Sequence, residues 1–159
     1  MSASASLTIR DATLEDAIVI AQANADMAME TEDKPLDHET LLAGVKALLA
    51  DPARGRYWIA ERDGQFAGQI MVTTEWSDWR NGFFWWVQSV YIAAAHRRQG
   101  IYSALYDVVK TAADARGDVC GIRLYVEVEN NAAIATYQAL GMHDAGYRMF
   151  EVVFDNNKD

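Results

Sequence analysis

The chain has 159 residues, 51% of them hydrophobic, with 14 Lys+Arg against 23 Asp+Glu for a formal net charge of −9. That length and apolar content suit one compact domain with a full core, which excludes a disordered chain. The single Cys120 excludes an internal disulfide scaffold, and no stretch reaches the roughly 20 apolar residues that cross a bilayer.

The opening Met1-Ser2-Ala3-Ser4-Ala5-Ser6 has neither a basic leader nor an apolar signal core, so the expectation is a cytoplasmic protein without a membrane partner. An acidic chain also argues against nucleic acid as a partner, because phosphates demand a basic face. Any anionic ligand must be held by a local exception to the global charge.

Leu7–Arg10 reads as a first strand. Thr13 with Asp16 three residues later forms a capping box that starts a helix running to about Met29. After the acidic stretch 30–39, Leu41, Leu42, Val45, Leu48 and Leu49 recur at helical spacing until Asp51-Pro52. Tyr57–Glu61 and Phe66–Glu75 flank Asp63-Gly64 as a hairpin. Trp76–Asn81 connects to Phe83–Ile92, a strand dense in aromatic and β-branched residues.

From Gly100, the residues Ile101, Leu105, Val108, Val109 and Ala112 mark a helix ending at Gly117, and Ile122–Val128 reads as a strand. Asn130-Asn131 caps a further helix through Ala133, Ile134, Tyr137 and Leu140 to Gly141, and Tyr147–Phe154 is read as the last strand. The order β-α-α-β-β-β-α-β-α-β is that of one α/β domain of mixed α+β character over residues 1–159. It implies a central mixed, mostly antiparallel sheet with helices on both faces.

The passage from Val90-Tyr91-Ile92 through Ala93–His96 to Arg97-Arg98-Gln99-Gly100-Ile101-Tyr102-Ser103 is a strand, a short loop and a helix start. Gly100 admits close approach of a ligand, and the first-turn amides with the positive end of the helix dipole favour an anion. Arg97 and Arg98 supply the local exception that the net charge requires, so a pyrophosphate fits. A solvated loop with an ordinary turn glycine is the competing reading. Gly-x-Gly-x-x-Gly and Gly-Lys-Ser/Thr are both missing, so nothing points to NAD or ATP.

Arg97-Arg98-Gln99-Gly100-Ile101-Tyr102 resembles the phosphate loop Gln/Arg-x-x-Gly-x-Gly/Ala of the GNAT superfamily of N-acetyltransferases, with Tyr102 where Gly or Ala is usual. Downstream, Asn130-Asn131-Ala132-Ala133-Ile134-Ala135-Thr136-Tyr137-Gln138-Ala139-Leu140-Gly141-Met142 is similar to that family's Asn-x-x-Ala-Ile-x-x-Tyr-x-x-Leu-Gly-Phe. The resemblance covers nearly the whole chain and implies a GNAT-like fold with acetyl-CoA as cosubstrate.

The same resemblance implies that the backbone of Val90, Tyr91 and Ile92 pairs with the pantetheine arm like an added strand. Arg97, Arg98, Gln99, Gly100, Ile101, Tyr102 and Ser103 would hold the pyrophosphate, and Asn130 would bond the arm. Tyr137 would protonate the departing thiolate; on spacing alone it reads as a core tyrosine.

Transfer to an amine needs a base, since a free alkyl ammonium titrates near ~10. Glu75 is the first candidate, ahead of Asp78, Glu127 and Glu129, each of which reads equally as a solvated charge. His96 and His143 lie beside the phosphate loop and after the Leu140-Gly141 stop, where neither is suited to the thioester. Without metal-ligand spacing or an arranged nucleophile, neither a metal nor an acyl-enzyme is expected.

Glu75–Trp86 contains four of the five Trp. Phe84 and Trp86 share one strand face and Phe83 and Trp85 the other, which suits a doubly covered strand or a homodimer surface. Trp76 or Trp79 walling an acceptor pocket is the sharper alternative. The run Glu30–Glu39 carries five acids against one lysine and either steers a basic substrate or is a solvated loop.

The leading expectation is an acetyl-CoA-dependent N-acetyltransferase acting on a small-molecule or peptide amine by direct attack in a ternary complex. An acyl-CoA-binding regulatory module without turnover and an aromatic-rich oligomerisation domain are the alternatives.

Overall fold

Hydrogen-bonded turns place the strands of a five-stranded sheet in the computed structural model, which describes residues 6–154. Residues 1–5, read above as carrying no leader, and 155–159, at the end of the expected domain, lie outside the described residues. Strand β1 (Leu7–Asp11) runs antiparallel to β2 (Gly55–Arg62), and β2 turns into β3 (Gln65–Ser77). Asp63 and Gly64 adopt φ of 51° and 78°, the pair of positive values that joins two right-twisted strands in a tight hairpin. A second turn leads from β3 into antiparallel β4 (Gly82–Ile92), and β5 (Val119–Arg123) lies parallel to β4. The sheet order is β1-β2-β3-β4-β5, mixed and mostly antiparallel as expected.

Alternation along β2 divides the core. Tyr57 and Ile59 face helices α1 (Ala17–Glu32) and α2 (His38–Ala50), packing with Ala17, Ile20, Ala21 and Val45. Trp58 and Ala60 point the other way and join Ile70, Val72, Trp85 and Val87 beneath Ile101, Leu105, Val109 and Ala113 of α3 (Ile101–Arg116). Each fully buried Ile, Leu or Val of this kind contributes roughly 1.5–3 kcal/mol of hydrophobic stabilisation. Helices therefore cover both faces.

The helix signals hold locally. Asp16 accepts from the Thr13 N–H at 2.7 Å before α1, Asp37 from the Thr40 N–H at 2.9 Å at α2, and Gly117 ends α3 at φ 74°. α1 outlasts the expected Met29 because Glu30 and Glu32 are good helix formers, and Asp33 closes it at φ 51°.

Two expectations need correction. The strand expected at Ile122–Val128 lies at Val119–Arg123, because Gly117 stops α3 abruptly and the Phe83 N–H bonds the Asp118 carbonyl at 2.8 Å, starting the ladder at once. Tyr147–Phe154 forms no strand. Its Met149-Phe150 and Val152-Val153-Phe154 runs break the period of two, no ladder partner occurs among the described residues, and Phe150 is 91% exposed.

The chain divides into two compact units at Leu124/Tyr125. The second contains α4 (Asn131–Ala139), whose cap is Asn130, the Oδ1 accepting from the Ala133 N–H at 3.1 Å. Gly141 follows at φ 88°. No helix among the described residues is long and apolar enough to cross a membrane.

Candidate functional site

β4 and β5 pair only from Phe83↔Val119 to Trp86↔Arg123. Beyond Trp86, β4 continues to Ile92 with no ladder partner on its β5 side among the described residues. The register against β3 jumps from Val72↔Val87 to Met71↔Ser89, leaving Gln88 as a bulge. Such a bulge bends a strand and re-aims its groups. About six residues of open edge, roughly 20 Å of strand, can therefore receive an extended chain.

The C-terminal end of this edge runs into the loop that opens α3, a candidate anion site. Ile92 leads through a turn at Ala94–His96 to Arg97, then Arg98 at φ 61° and Gly100 at φ 75°. Gly100 is the N-cap of α3 and has no side chain, so the N-cap residue makes no side-chain hydrogen bond to the first turn of this helix. A Cβ placed on Gly100 meets nothing within 4 Å, so open space borders that turn. The Tyr102 hydroxyl is buried, which turns that ring into the protein.

The two arginines are placed differently. Arg97 Nε donates to the Ile92 carbonyl at 2.9 Å and Nη2 to Glu30 Oε2 at 2.5 Å, with the guanidinium 5.6 Å from the Tyr91 ring centroid. Tyr91 donates to Glu30 Oε1 at 3.3 Å. Burial and then the Glu30 carboxylate push the Tyr91 phenol up, so it remains a donor at neutral pH. Arg98 has no hydrogen-bond or ion-pair partner among the described residues and is exposed. Gln99 donates to the Ala95 carbonyl at 3.4 Å. A cleft of about 590 Å³ opens between the last turns of α1 and the end of β4, lined by Met27, Glu30, Val90, Tyr91, Ile92 and Arg97.

Glu75 marks the other end of the open edge. Its Oε2 accepts from Trp86 Nε1 at 2.7 Å and from Arg123 Nη1 at 3.2 Å, and the Arg123 guanidinium lies 3.6 Å from the Phe84 ring centroid. Glu75 thus sits where β4 and β5 part, while Tyr91 is five residues further on, roughly 16 Å along the strand. Asp78 caps the turn beyond Glu75, accepting from the Trp79 N–H at 2.9 Å, and Trp79 is 90% exposed. Trp76 meets Phe83 edge-on at 4.9 Å; neither Trp76 nor Trp79 lines the cleft. In the second unit, Glu127 accepts from the Glu129 N–H at 2.9 Å, and Tyr137 lies within α4.

Sequence reasoning singled out Val90–Ile92 and Arg97–Ser103, which the fold joins as the end of β4 and the start of α3, but did not single out Arg123 or the tie between Glu30 and Arg97. A lone arginine amid the apolar residues of β5 is the signal that could have marked Arg123. Glu30 was visible only as one acid of a run. Among the described residues no group of three His, Cys, Asp or Glu is gathered for a metal.

Comparison with known proteins places this geometry. A sequence model of the Acetyltransferase (GNAT) family matches residues 21–142. The crystal structure of a possible acetyltransferase from Clostridium difficile 630 is 44% identical, with a TM-score of 0.88, covering 93% of this chain and 97% of that one. A ribosomal-protein-alanine N-acetyltransferase from Brucella melitensis biovar Abortus 2308 is 21% identical at TM-score 0.75, covering 94% and 99%. The aminoglycoside N-acetyltransferase AAC(6')-Iy in complex with CoA is 14% identical at TM-score 0.79, covering 96% and 98%. The last two show a shared fold. No curated protein sequence matches.

Proposed function

Since the chain belongs to the GNAT acetyltransferase family, we propose that it transfers acetyl from acetyl-CoA to a primary amine by direct attack in a ternary complex. The observation that carries this reading is the continuity of the open β4 edge with the uncapped start of α3. A ligand with a doubly charged diphosphate and an extended amide-bearing arm has one orientation on these two features. Its anion lies against Ile101–Ser103, and its arm runs back along Val90–Ile92 toward Trp86.

That orientation brings the thioester end toward Glu75. The cosubstrate supplies an activated acyl carbon. The amine nitrogen bonds to that carbon, the carbon–sulfur bond breaks, the amine loses a proton and the thiolate gains one. Glu75 accepts the amine proton, directly or through water, and Tyr137 donates to the thiolate, a role that rests on its place in the Asn130–Met142 motif. Asn130 is assigned to the arm on the same ground. Backbone N–H groups beside the Gln88 bulge polarise the thioester carbonyl. Holding both reactants together supplies much of the rate.

Both compact units are read as one acetyltransferase domain over residues 1–159, because the family match runs across Leu124. A small-molecule or peptide amine is the acceptor class. Among the structural likenesses, one is named for a ribosomal-protein alanine and another for aminoglycosides. A cytoplasmic setting accords with the one exposed thiol.

The test is a thiol-release assay over a panel of polyamines, amino sugars, amino acids and peptides at fixed acetyl-CoA. Amine-dependent thiol release is expected. Tyr137→Phe should lower kcat at least tenfold with acetyl-CoA affinity nearly unchanged, on the order of a single general-acid contribution. Binding of CoA without release on any amine would favour a regulatory acyl-CoA module, and full turnover in Tyr137→Phe would remove that tyrosine as the acid.

A further inference from the structure

Two adjacent arginines lie in the loop that opens α3, yet only one is free. Arg97 is anchored twice, by the Ile92 carbonyl through Nε and by Glu30 through Nη2, and its positive charge faces a carboxylate. Arg98 follows in the left-handed region at φ 61°, a conformation that costs an L-residue roughly 1–2 kcal/mol. A strained residue persists where its surroundings hold it. The anchor preceding it is the Arg97 pair, and through Glu30 that pair reaches the last turns of α1, 67 residues away in sequence.

We infer that Glu30 is a positioning residue for the coenzyme loop: it fixes Arg97 as a strut between α1 and the end of β4, and so leaves Arg98 as the cation that meets the diphosphate. The inference rests on the reading of this site as the coenzyme site. Tyr91 belongs to the same unit, since its hydroxyl donates to the second Glu30 oxygen and its ring lies beneath the guanidinium. With Glu30 removed, Arg97 keeps one anchor. The loop then has to be ordered at the moment of binding, and that ordering is subtracted from affinity. The opposite arrangement, in which Arg97 is itself a phosphate ligand masked by Glu30, makes the reverse demand. Removing Glu30 would release a cation and tighten binding.

Calorimetric titration of CoA into the full chain separates these cases, run at low and high salt on wild type, Glu30→Ala, Glu30→Gln, Arg97→Ala, the Glu30→Ala/Arg97→Ala pair and Arg98→Ala. Wild type binding no CoA would remove the site itself, whatever Glu30 does. Given binding, Glu30→Ala and Arg97→Ala are each expected to weaken CoA about threefold, the size of one half-exposed ion pair. The double variant is expected to be no worse than either single. Glu30→Gln, which keeps an acceptor oxygen, should weaken CoA about twofold and carries the test should the alanine variant not fold. Arg98→Ala alone should flatten the salt dependence, since the Arg97 charge is already offset by the Glu30 carboxylate. CoA affinity that tightens or does not change on altering Glu30, or a salt dependence flattened by Arg97→Ala, overturns the inference.

Discussion

Arg10 shows how one side chain joins three segments. Its guanidinium meets both carboxylate oxygens of Asp16 at 2.8 and 2.9 Å and also pairs with Glu61 across the β1–β2 ladder. The Arg10 hydrogen bonds hold the Asp16 carboxyl below its ordinary value of 3.8. A folded-state pKa below the unfolded one gives stability that is complete above the unfolded value and is lost as pH falls through the folded one. Asp16→Asn should therefore lower stability by about 1 kcal/mol at pH 7. Its stability should also fall less steeply than wild type below about pH 4. Denaturant melts at several pH values measure both effects, and equal acid slopes would show that this pair is not the titrating contact.

At the scale of elements, legibility followed the range of the information. The Thr13/Asp16 capping box, the Asn130 cap, the Asp63-Gly64 hairpin and the Gly117 stop are each written within a few residues, and each forms as read, whereas the Asp37 cap of α2 was seen only as one acid of a run. The start of β5 depends instead on where β4 lies, and Tyr147–Phe154 has strand-forming side chains without a ladder partner among the described residues. The start of α3 was legible because Gly100 and the α3 periodicity are contiguous. The Glu30–Arg97 tie was not, because no local pattern encodes a contact across 67 residues. The α3 start also yields a test. At φ 75°, Gly100→Ala is expected to cost roughly 1–2 kcal/mol of stability. The open space around Gly100 means that no clash adds to this, whereas CoA affinity should fall about tenfold because the new methyl enters the space bordering the amides. Melting curves with and without CoA report both quantities, and an affinity equal to wild type would place the diphosphate elsewhere.

At the scale of the molecule, a net charge of −9 coexists with a small cationic and dipolar spot at Arg98 and the α3 start. That contrast sets the spot apart from the acidic average of the chain. The two-sided core explains why the site lies where it does. β4 is covered on both faces, by α3 on one and by α1 near its end on the other, so its exposed backbone is an edge. The edge ends between an acid–arginine pair at Glu75 and the start of α3 at Gly100. The decisive measurement is a crystal structure with CoA bound. The diphosphate is expected on the amides of Ile101–Ser103 beside Arg98, with the arm paired along Val90–Ile92 and the sulfur toward Trp86. Diphosphate density away from the α3 start, or an arm that leaves the β4 edge, would contradict the account.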